Sequence, residues 1–286
     1  MVGERLRSCS WELLHACNYR CPYCFFIHSW RMDPDGTNGR HRACSARDWL
    51  RFWKRIFDLY GSFEIDVVGG EPFLYPGFVP LIRRVSAWHR LTLTSNLSWD
   101  VRKAAGLDPA RVALHPSFHP DFVGIGRFIG KVLALRRRGF KSHAIVVAYP
   151  PLFRRLPGFR RRLERAGIPC WVAPYQGVYA GRQYPAAFTR EQKDWLHGTH
   201  PGEPKRAFEF GVQEASPRGR LCGSGMRYFR AYPDGWVYRC ISAKDSPRAK
   251  PLGHIKDAGF ALASEALPCK AERCCSPLEY RNLSGP

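Results

Sequence analysis

Three cysteines lie close together near the start of the chain, Cys17, Cys21 and Cys24, in the stretch ACNYRCPYCFF (16–26). Thiolates are the soft ligands that iron–sulfur clusters prefer, and three of them on a turn-rich loop can reach three corners of a cubane, leaving the fourth iron open to a small molecule. The competing reading is a structural zinc with His15 or His28 as fourth ligand. The chain has 11 cysteines. That odd number, in groups rather than scattered, argues for metal or redox chemistry over a disulfide framework. A second group comprises Cys222, Cys240, Cys269, Cys274 and Cys275, while Cys9, Cys44 and Cys170 stand alone.

The elements that must position these thiols alternate short β-type runs with amphipathic helices, the pattern of parallel βα units. CSWELLHA (9–16) reads as a first strand running into the cysteine loop, and a Gly/Pro/Asp-rich loop (27–44) follows. Ser45 to Asp48 caps a helix with Trp49, Phe52, Trp53, Ile56 and Tyr60 on one face and Gly61 at its stop. Further strands fall at FEIDVVGGEPF (63–73), RLTLTSN (90–96), RVALHPSFHP (111–120), SHAIVVAYPP (142–151) and IPCWVAPYQG (168–177), with helices between them. Six such units fit an open, partial (β/α)6 TIM-like barrel. Polar and glycine-rich residues collect after each strand, at the end where barrel loops converge on one mouth. After about residue 178 the alternation stops. A short helix with a Thr189–Gln192 capping box and a Pro/Gly/charge-rich stretch lead to the last cysteines, giving a division into 1–177, a linker at 178–221 and a small unit at 222–286.

CNYRCPYC, with aromatic Tyr23 beside its last cysteine, resembles the CxxxCxxC motif of the radical S-adenosylmethionine (SAM) enzymes. Gly69-Gly70-Glu71-Pro72 resembles that family's GGEP motif, Thr94-Ser95-Asn96 its turn after the third strand, and APYQG (173–177) its adenine-side segment. The resemblance spans about residues 8–177. It implies a [4Fe-4S] cluster on Cys17, Cys21 and Cys24 whose open iron binds SAM, which is cleaved reductively so that a 5′-deoxyadenosyl radical abstracts a substrate hydrogen. It further implies that Glu71, with the Gly69 and Gly70 backbone, binds the methionyl ammonium. Ser95, Asn96 and Ser117 would reach ribose or carboxylate, and Tyr23 would lie near adenine. For Glu71 the alternative is a carboxylate placed at the start of a helix.

CGSGMRYFRAYPDGWVYRC (222–240) resembles the SPASM/twitch extensions that carry auxiliary clusters. RYFRAY and WVYR read as alternating strands of a hairpin turned at Pro233-Asp234-Gly235, which would bring Cys222 and Cys240 side by side. The resemblance implies one auxiliary [4Fe-4S] cluster on Cys222, Cys240, Cys269 and Cys274, with Cys275 the alternative to Cys274, in a β-hairpin/helix subdomain. A zinc ribbon is the other reading of this segment.

Groups suited to proton transfer near the mouth are His119 and Tyr149, then His115, Tyr175 and Gln176. Cys170, at the start of its strand, reads as a core cysteine, and Cys44 is a candidate hydrogen-atom donor. The net charge of +21, with only ten lysines among 45 basic residues, fits either an anionic partner or a solvated arginine-rich surface. No apolar run reaches the roughly 18 residues of a membrane span, and no signal-peptide core is present, so a cytoplasmic protein is expected. The combined expectation is an oxidoreductase: oxidation of a small molecule, with the auxiliary cluster accepting an electron and flavodoxin or ferredoxin as donor. Alternatives are crosslinking or epimerisation of a peptide, and a non-catalytic basic metal protein that binds RNA. Nucleic acid is otherwise not expected as a partner.

Overall fold

The computed structural model describes residues 7–25, 44–245, 249–274 and 276–283. Most of the loop expected at 27–44, His28 and Cys275 lie outside the described residues.

Strand β1 (Ser8–Leu14) is central because both of its faces are apolar or paired. Trp11 faces helix α1 (Ala46–Tyr60), its ring centroid 4.9 Å from that of Trp49 and 5.2 Å from that of Trp53. Ser45 caps α1 by accepting from the Asp48 N–H at 3.2 Å, and Gly61 ends it at φ 79°. Trp49, Phe52, Trp53 and Ile56 are its buried face, as the periodicity predicts.

The barrel continues through β2 (Glu64–Gly69), α2 (Phe78–Val85), β3 (Arg90–Ser95), β4 (Val112–Pro116), α3 (Ile125–Arg136), β5 (Ala144–Ala148), α4 (Leu156–Arg165) and β6 (Cys170–Pro174). β1 to β4 pair in parallel in chain order, β5 pairs with β6, and bridges at Leu114–Ser142 and Ser117–Ile145 join β4 to β5. This is the expected six-unit open barrel. Strand residues alternate. Leu91, Leu93, Val112, Leu114, Ala144 and Val146 are buried under the helices, whereas Thr92, Thr94, His115 and Ser117 on the other face are half-buried along the lumen. Cys170 is buried in the core, as expected.

The remainder departs from the sequence reading. The stretch expected to be a linker with one helix holds a hairpin, β7 (Gly177–Tyr179) and β8 (Arg182–Tyr184), and two helices, α5 (Arg190–His197) and α6 (Lys205–Gly211). Thr189 and Gln192 form the predicted capping box on α5.

β9 (Leu221–Cys222) follows, then the hairpin of β10 (Tyr228–Ala231) and β11 (Trp236–Tyr238), helix α7 (Ile241–Lys244), short strands β12 (Gly253–His254) and β13 (Leu267–Pro268), and helix α8 (Pro277–Tyr280). The hairpin turns where expected, but its first strand does not alternate: all four residues of β10 are buried. The reason is pairing. β10 lies parallel to β1, Ser8 opposite Tyr228 and Trp11 opposite Ala231, so the sheet runs β12-β11-β10-β1-β2-β3-β4. The C-terminal segment thus extends the barrel sheet. Cys222 is not on the hairpin but in the small β9–β13 pair.

Two buried ion pairs, sharing Arg230, seal this seam. Arg230 Nε on β10 donates to Glu12 Oε1 on β1 at 2.6 Å, and Arg230 Nη1 donates to Glu279 Oε1 on α8 at 3.1 Å. A base and an acid inside adjacent strands must pair, because neither charge tolerates burial alone. Among the described residues no helix is long and apolar enough to cross a membrane.

Candidate metal and cofactor site

The cysteine loop leaves β1 at the C-terminal mouth of the barrel and is held there by backbone contacts from the end of β2. The Gly70 N–H donates to Leu14 O at 2.7 Å, and the Glu71 N–H to Ala16 O at 2.9 Å. A Cβ on Gly69 would sit 2.2 Å from Leu14 O, and one on Gly70 1.9 Å from Ala16 O. The two glycines are therefore required by close approach to the segment leading into Cys17.

Glu71 is buried and fully engaged. It accepts from the Ser95 hydroxyl at 2.9 Å and the Phe73 N–H at 3.1 Å through Oε1, and from the Asn96 N–H at 2.8 Å through Oε2. It caps the short 3₁₀ turn at Pro72–Leu74, and its links to Ser95 and Asn96 make this carboxylate a clamp between the β2 and β3 loops. Burial raises Glu71 to about 7 despite these donors. Ser95 Oγ also accepts from Trp99 Nε1 at 2.7 Å and from the Leu97 N–H at 3.1 Å, which holds Leu97 at φ 52°. The Ser117 N–H donates to Ser95 O at 2.8 Å, bringing Ser117 beside the same turn.

Around the thiols, N–H donors are already in place. The Tyr19 N–H lies 3.4 Å from Cys17 Sγ; Asn96 Nδ2 lies 3.8 Å from the same sulfur and donates to Asn18 Oδ1 at 3.1 Å. His119 Nδ1 is 3.4 Å from Cys21 Sγ and 3.4 Å from the Tyr23 hydroxyl. His119 stacks on Tyr23 with centroids 5.9 Å apart, and burial lowers it to about 4. The imidazole is thus set against a cysteine of the triplet, at the mouth of the barrel. Tyr23 also packs on Tyr149, which contacts Tyr175 and Tyr179, forming an aromatic wall. His115 is elsewhere, its ring centroid 3.7 Å from that of His143 with the two rings tilted by 45°.

The three thiols sense one another. Burial first, then the charges of Cys24 and Cys17, raise Cys21 to about 12; burial and, among other charges, Cys24 raise Cys17. Among the described residues no three His, Cys, Asp or Glu side chains converge on a single ion. A cubane is wider than an ion, each thiolate binding its own iron, so three thiols on one loop at the mouth, with the Tyr19 N–H and Asn96 Nδ2 against Cys17, fit that group, and its loading would displace the thiol protons.

A second set forms at the C-terminus. Cys240 is raised to about 12 by burial, then by Glu279, with Cys222 also contributing; Cys269 is raised by burial, with Cys222 and Glu279 contributing. Cys274 packs with Phe210 and Tyr280. Cys44 is buried beside the hairpin turn: its N–H donates to Pro233 O at 2.7 Å, its carbonyl accepts from Tyr75 at 2.6 Å, and a Cβ on Gly235 would lie 2.9 Å from its sulfur.

Sequence reasoning missed Asn18, Glu12, Arg230 and Glu279. The signal was present for two of them: one acid in CSWELL and one base in YFRAY, each alone in a run otherwise fit for burial.

Residues 11–126 match the family model described as Radical SAM superfamily. The chain is 26% identical over 303 aligned positions to the GTP 3′,8-cyclase of Xanthomonas campestris pv. campestris (strain 8004), covering 91% of this chain and 86% of that one. A shorter match, 29% over 130 residues and 43% of each chain, is to the S-adenosylmethionine-dependent nucleotide dehydratase of a Thermoplasmatales archaeon. In fold it is similar to SuiB of Streptococcus suis, with TM-score 0.60 at 16% identity over 89% of this chain and 64% of that one, so it spans just under two thirds of SuiB. It is also similar to native anSMEcpe with bound AdoMet, with TM-score 0.58 at 14% identity over 87% of this chain and 78% of that one.

Proposed function

We propose, for a chain that carries a Radical SAM superfamily domain, that Cys17, Cys21 and Cys24 hold a [4Fe-4S] cluster and that the enzyme abstracts a hydrogen atom from a phosphorylated nucleoside seated in the lumen. The observation that carries this reading is the cysteine triplet at the barrel mouth, with the Tyr19 N–H, Asn96 Nδ2 and His119 Nδ1 against its sulfurs. The bound cluster and SAM would supply the radical chemistry. The chain's own residues do the rest. Gly69 and Gly70 fix the loop, Glu71 locks the Ser95–Asn96 turn beside it, and Tyr23 and Tyr149 offer an apolar wall to the adenine. Ser117 and Thr94 present hydroxyls along the lumen.

The substrate class is supported by the names of the two relatives, both of which concern nucleotides, and by the net charge of +21. Those names describe ring closure and loss of water, so the dehydrogenation expected from sequence has no support from them. Cys222, Cys240 and Cys269 are proposed to carry an auxiliary cluster, supported by the β9–β13 pairing that sets Cys222 opposite Leu267, by the Cys269 N–H on Arg220 O at 2.8 Å, and by Arg239, next to Cys240, donating to Cys222 O at 3.3 Å.

The test is reconstitution without oxygen, followed by dithionite and SAM. Liberation of 5′-deoxyadenosine that disappears in Cys17→Ala supports the reading, as does its stimulation by nucleoside phosphates over peptides. Product mass then separates isomerisation from loss of water and from loss of two hydrogens. A protein that takes up zinc but releases no 5′-deoxyadenosine overturns it.

A further inference from the structure

The lower end of the barrel, opposite the cysteine loop, holds a cavity of about 670 Å³ lined from β2, β3 and the segments leading into β4 and β5. Strand register explains which side chains face it. Glu64 stands opposite Arg90 and Asp66 opposite Thr92, all four on the lumen face, while Ile65, Val67, Leu91 and Leu93 between them are buried under the helices. Arg111 and Lys141, just ahead of β4 and β5, complete the wall. About 10 Å of strand separates Asp66 from Gly69 and the cysteine loop.

The charges on this wall are sorted. Glu64 and Asp66 share β2, whereas Arg90, Arg111 and Lys141 lie toward β3, β4 and β5. Neighbouring strands are about 4.8 Å apart, which puts β2 about 10 Å from β4. Although the register sets Glu64 against Arg90, the two form no ion pair, and among the described residues the side chains of Arg90 and Lys141 have no hydrogen-bond partner. Arg111 is fixed in place: its Nε donates to Ser86 O at 2.9 Å and its Nη2 to Ala87 O at 3.4 Å, which leaves Nη1 to serve another acceptor. Asp66 takes a hydrogen bond from the Thr92 side chain. Thr92 has one proton to give, and a carboxylate can accept about four. Burial and then Glu64 raise Asp66 to about 7, against the pull of Arg281 and Arg230, so this carboxyl is still short of positive charge.

An acidic side and a basic side of one cavity recognise a molecule that carries both charges. A plain anion meets Glu64 and Asp66, and a plain cation meets the three bases. We propose that this lower cavity is a second ligand site, for a small zwitterion whose primary ammonium lies against Asp66 and Glu64 and whose carboxylate or phosphate lies against Arg111 and Lys141. The site is independent of the reaction at the mouth. Its ligand would also tie β2 to the β4–β5 junction, where isolated bridges replace a continuous ladder and Lys141 adjoins the bridge residue Ser142. Binding would thus stiffen a thinly paired joint of the barrel.

The experiment is calorimetric titration and thermal melting of the full chain with ω-aminohexanoate and phosphoethanolamine, against hexanoate, ethyl phosphate and hexylamine, each of which carries one kind of charge. The zwitterions should bind about tenfold or more tightly than the singly charged probes and raise the melting temperature. Comparing the two zwitterions tells whether carboxylate or phosphate is the preferred anion. Asp66→Asn and Lys141→Ala should each weaken binding by about tenfold or more, and Lys141→Arg should restore it. Lys141 is exposed, so its variants decide the matter even if Asp66→Asn does not fold. Cys17→Ala should bind as the parent does, because that change affects the mouth and leaves the lower cavity intact.

Binding by none of the probes overturns the site. Equal binding of any singly charged probe overturns the zwitterionic class, and binding retained in both Asp66→Asn and Lys141→Ala overturns the location. Loss of binding in Cys17→Ala places the ligand at the mouth and does the same.

Discussion

Replacing Gly70 by alanine tests whether the end of β2 sets the position of the cysteine loop. The added methyl would stand 1.9 Å from Ala16 O and 2.7 Å from His15 O, whereas real Cβ contacts do not fall under 3.0 Å. The gap must open by at least 1.1 Å, the difference between 3.0 and 1.9 Å. Both obstructing atoms are backbone, so no rotamer change relieves them. Opening the gap breaks the Glu71 N–H to Ala16 O bond, now 2.9 Å. Overpacking of this kind costs about 1–3 kcal/mol, and a lost hydrogen bond adds about 1 kcal/mol. A displacement of about 1 Å at reacting groups lowers rates by about 10²-fold. The assay is 5′-deoxyadenosine release from the reconstituted enzyme, with iron content and thermal melting measured alongside. Gly126→Ala is the control: nothing lies within 4 Å of its Cβ, it is inside α3, and it should stabilise by about 0.5–1 kcal/mol. If Gly70→Ala keeps its iron, its melting temperature and a cleavage rate within about threefold of the parent, where about 10²-fold is expected, the anchoring argument is wrong.

Glu71, raised to about 7 from an ordinary 4.5, holds a proton in the native state that the unfolded chain has already released. Stability should therefore fall by about 3 kcal/mol as pH rises from about 4.5 to 7 and stay level above that. Urea melts of Glu71→Gln should lack this part of the slope; an unchanged slope would count against it. His119→Phe keeps the stack on Tyr23 but removes the imidazole Nδ1 that lies 3.4 Å from Cys21 Sγ; in the tautomer with its proton on Nδ1 the imidazole donates to this sulfur, so the cluster's midpoint potential should drop in a redox titration monitored by electron paramagnetic resonance. An unmoved potential would leave His119 as packing alone. Trp53→Ala empties the space between Trp11 and Phe229 and should cost about 3–5 kcal/mol in denaturant melts, a loss below 1 kcal/mol contradicting the core described.

The barrel was legible in the sequence because its strands are short, β2 to β5 alternate buried and less buried positions, and α1 carries a side-chain cap at Ser45; these signals are local. The motif residues of the mouth were legible by type and order. Their partners were not. Glu71 meets Ser95 and Asn96 only through the β2–β3 register, and His119 reaches Cys21 across 98 positions. Periodicity carries no information about register between distant segments. The same limit hid the pairing of β10 with β1, which turned an apparently alternating hairpin strand into one covered on both sides. Helix α6 was masked by the Pro and Gly residues around it.

The seam between β1 and β10 makes the segment from Leu221 onward indispensable to the front of the molecule. A chain stopped before Leu221 would lay bare the backbone edge of β1, strip Phe229 from Trp53 and strand the Glu12 carboxylate in an apolar interior without its guanidinium. The two cysteine neighbourhoods are thus parts of one cooperative body, neither of which can be cut away as a portable cassette, and a lesion in one is transmitted to the other through the sheet.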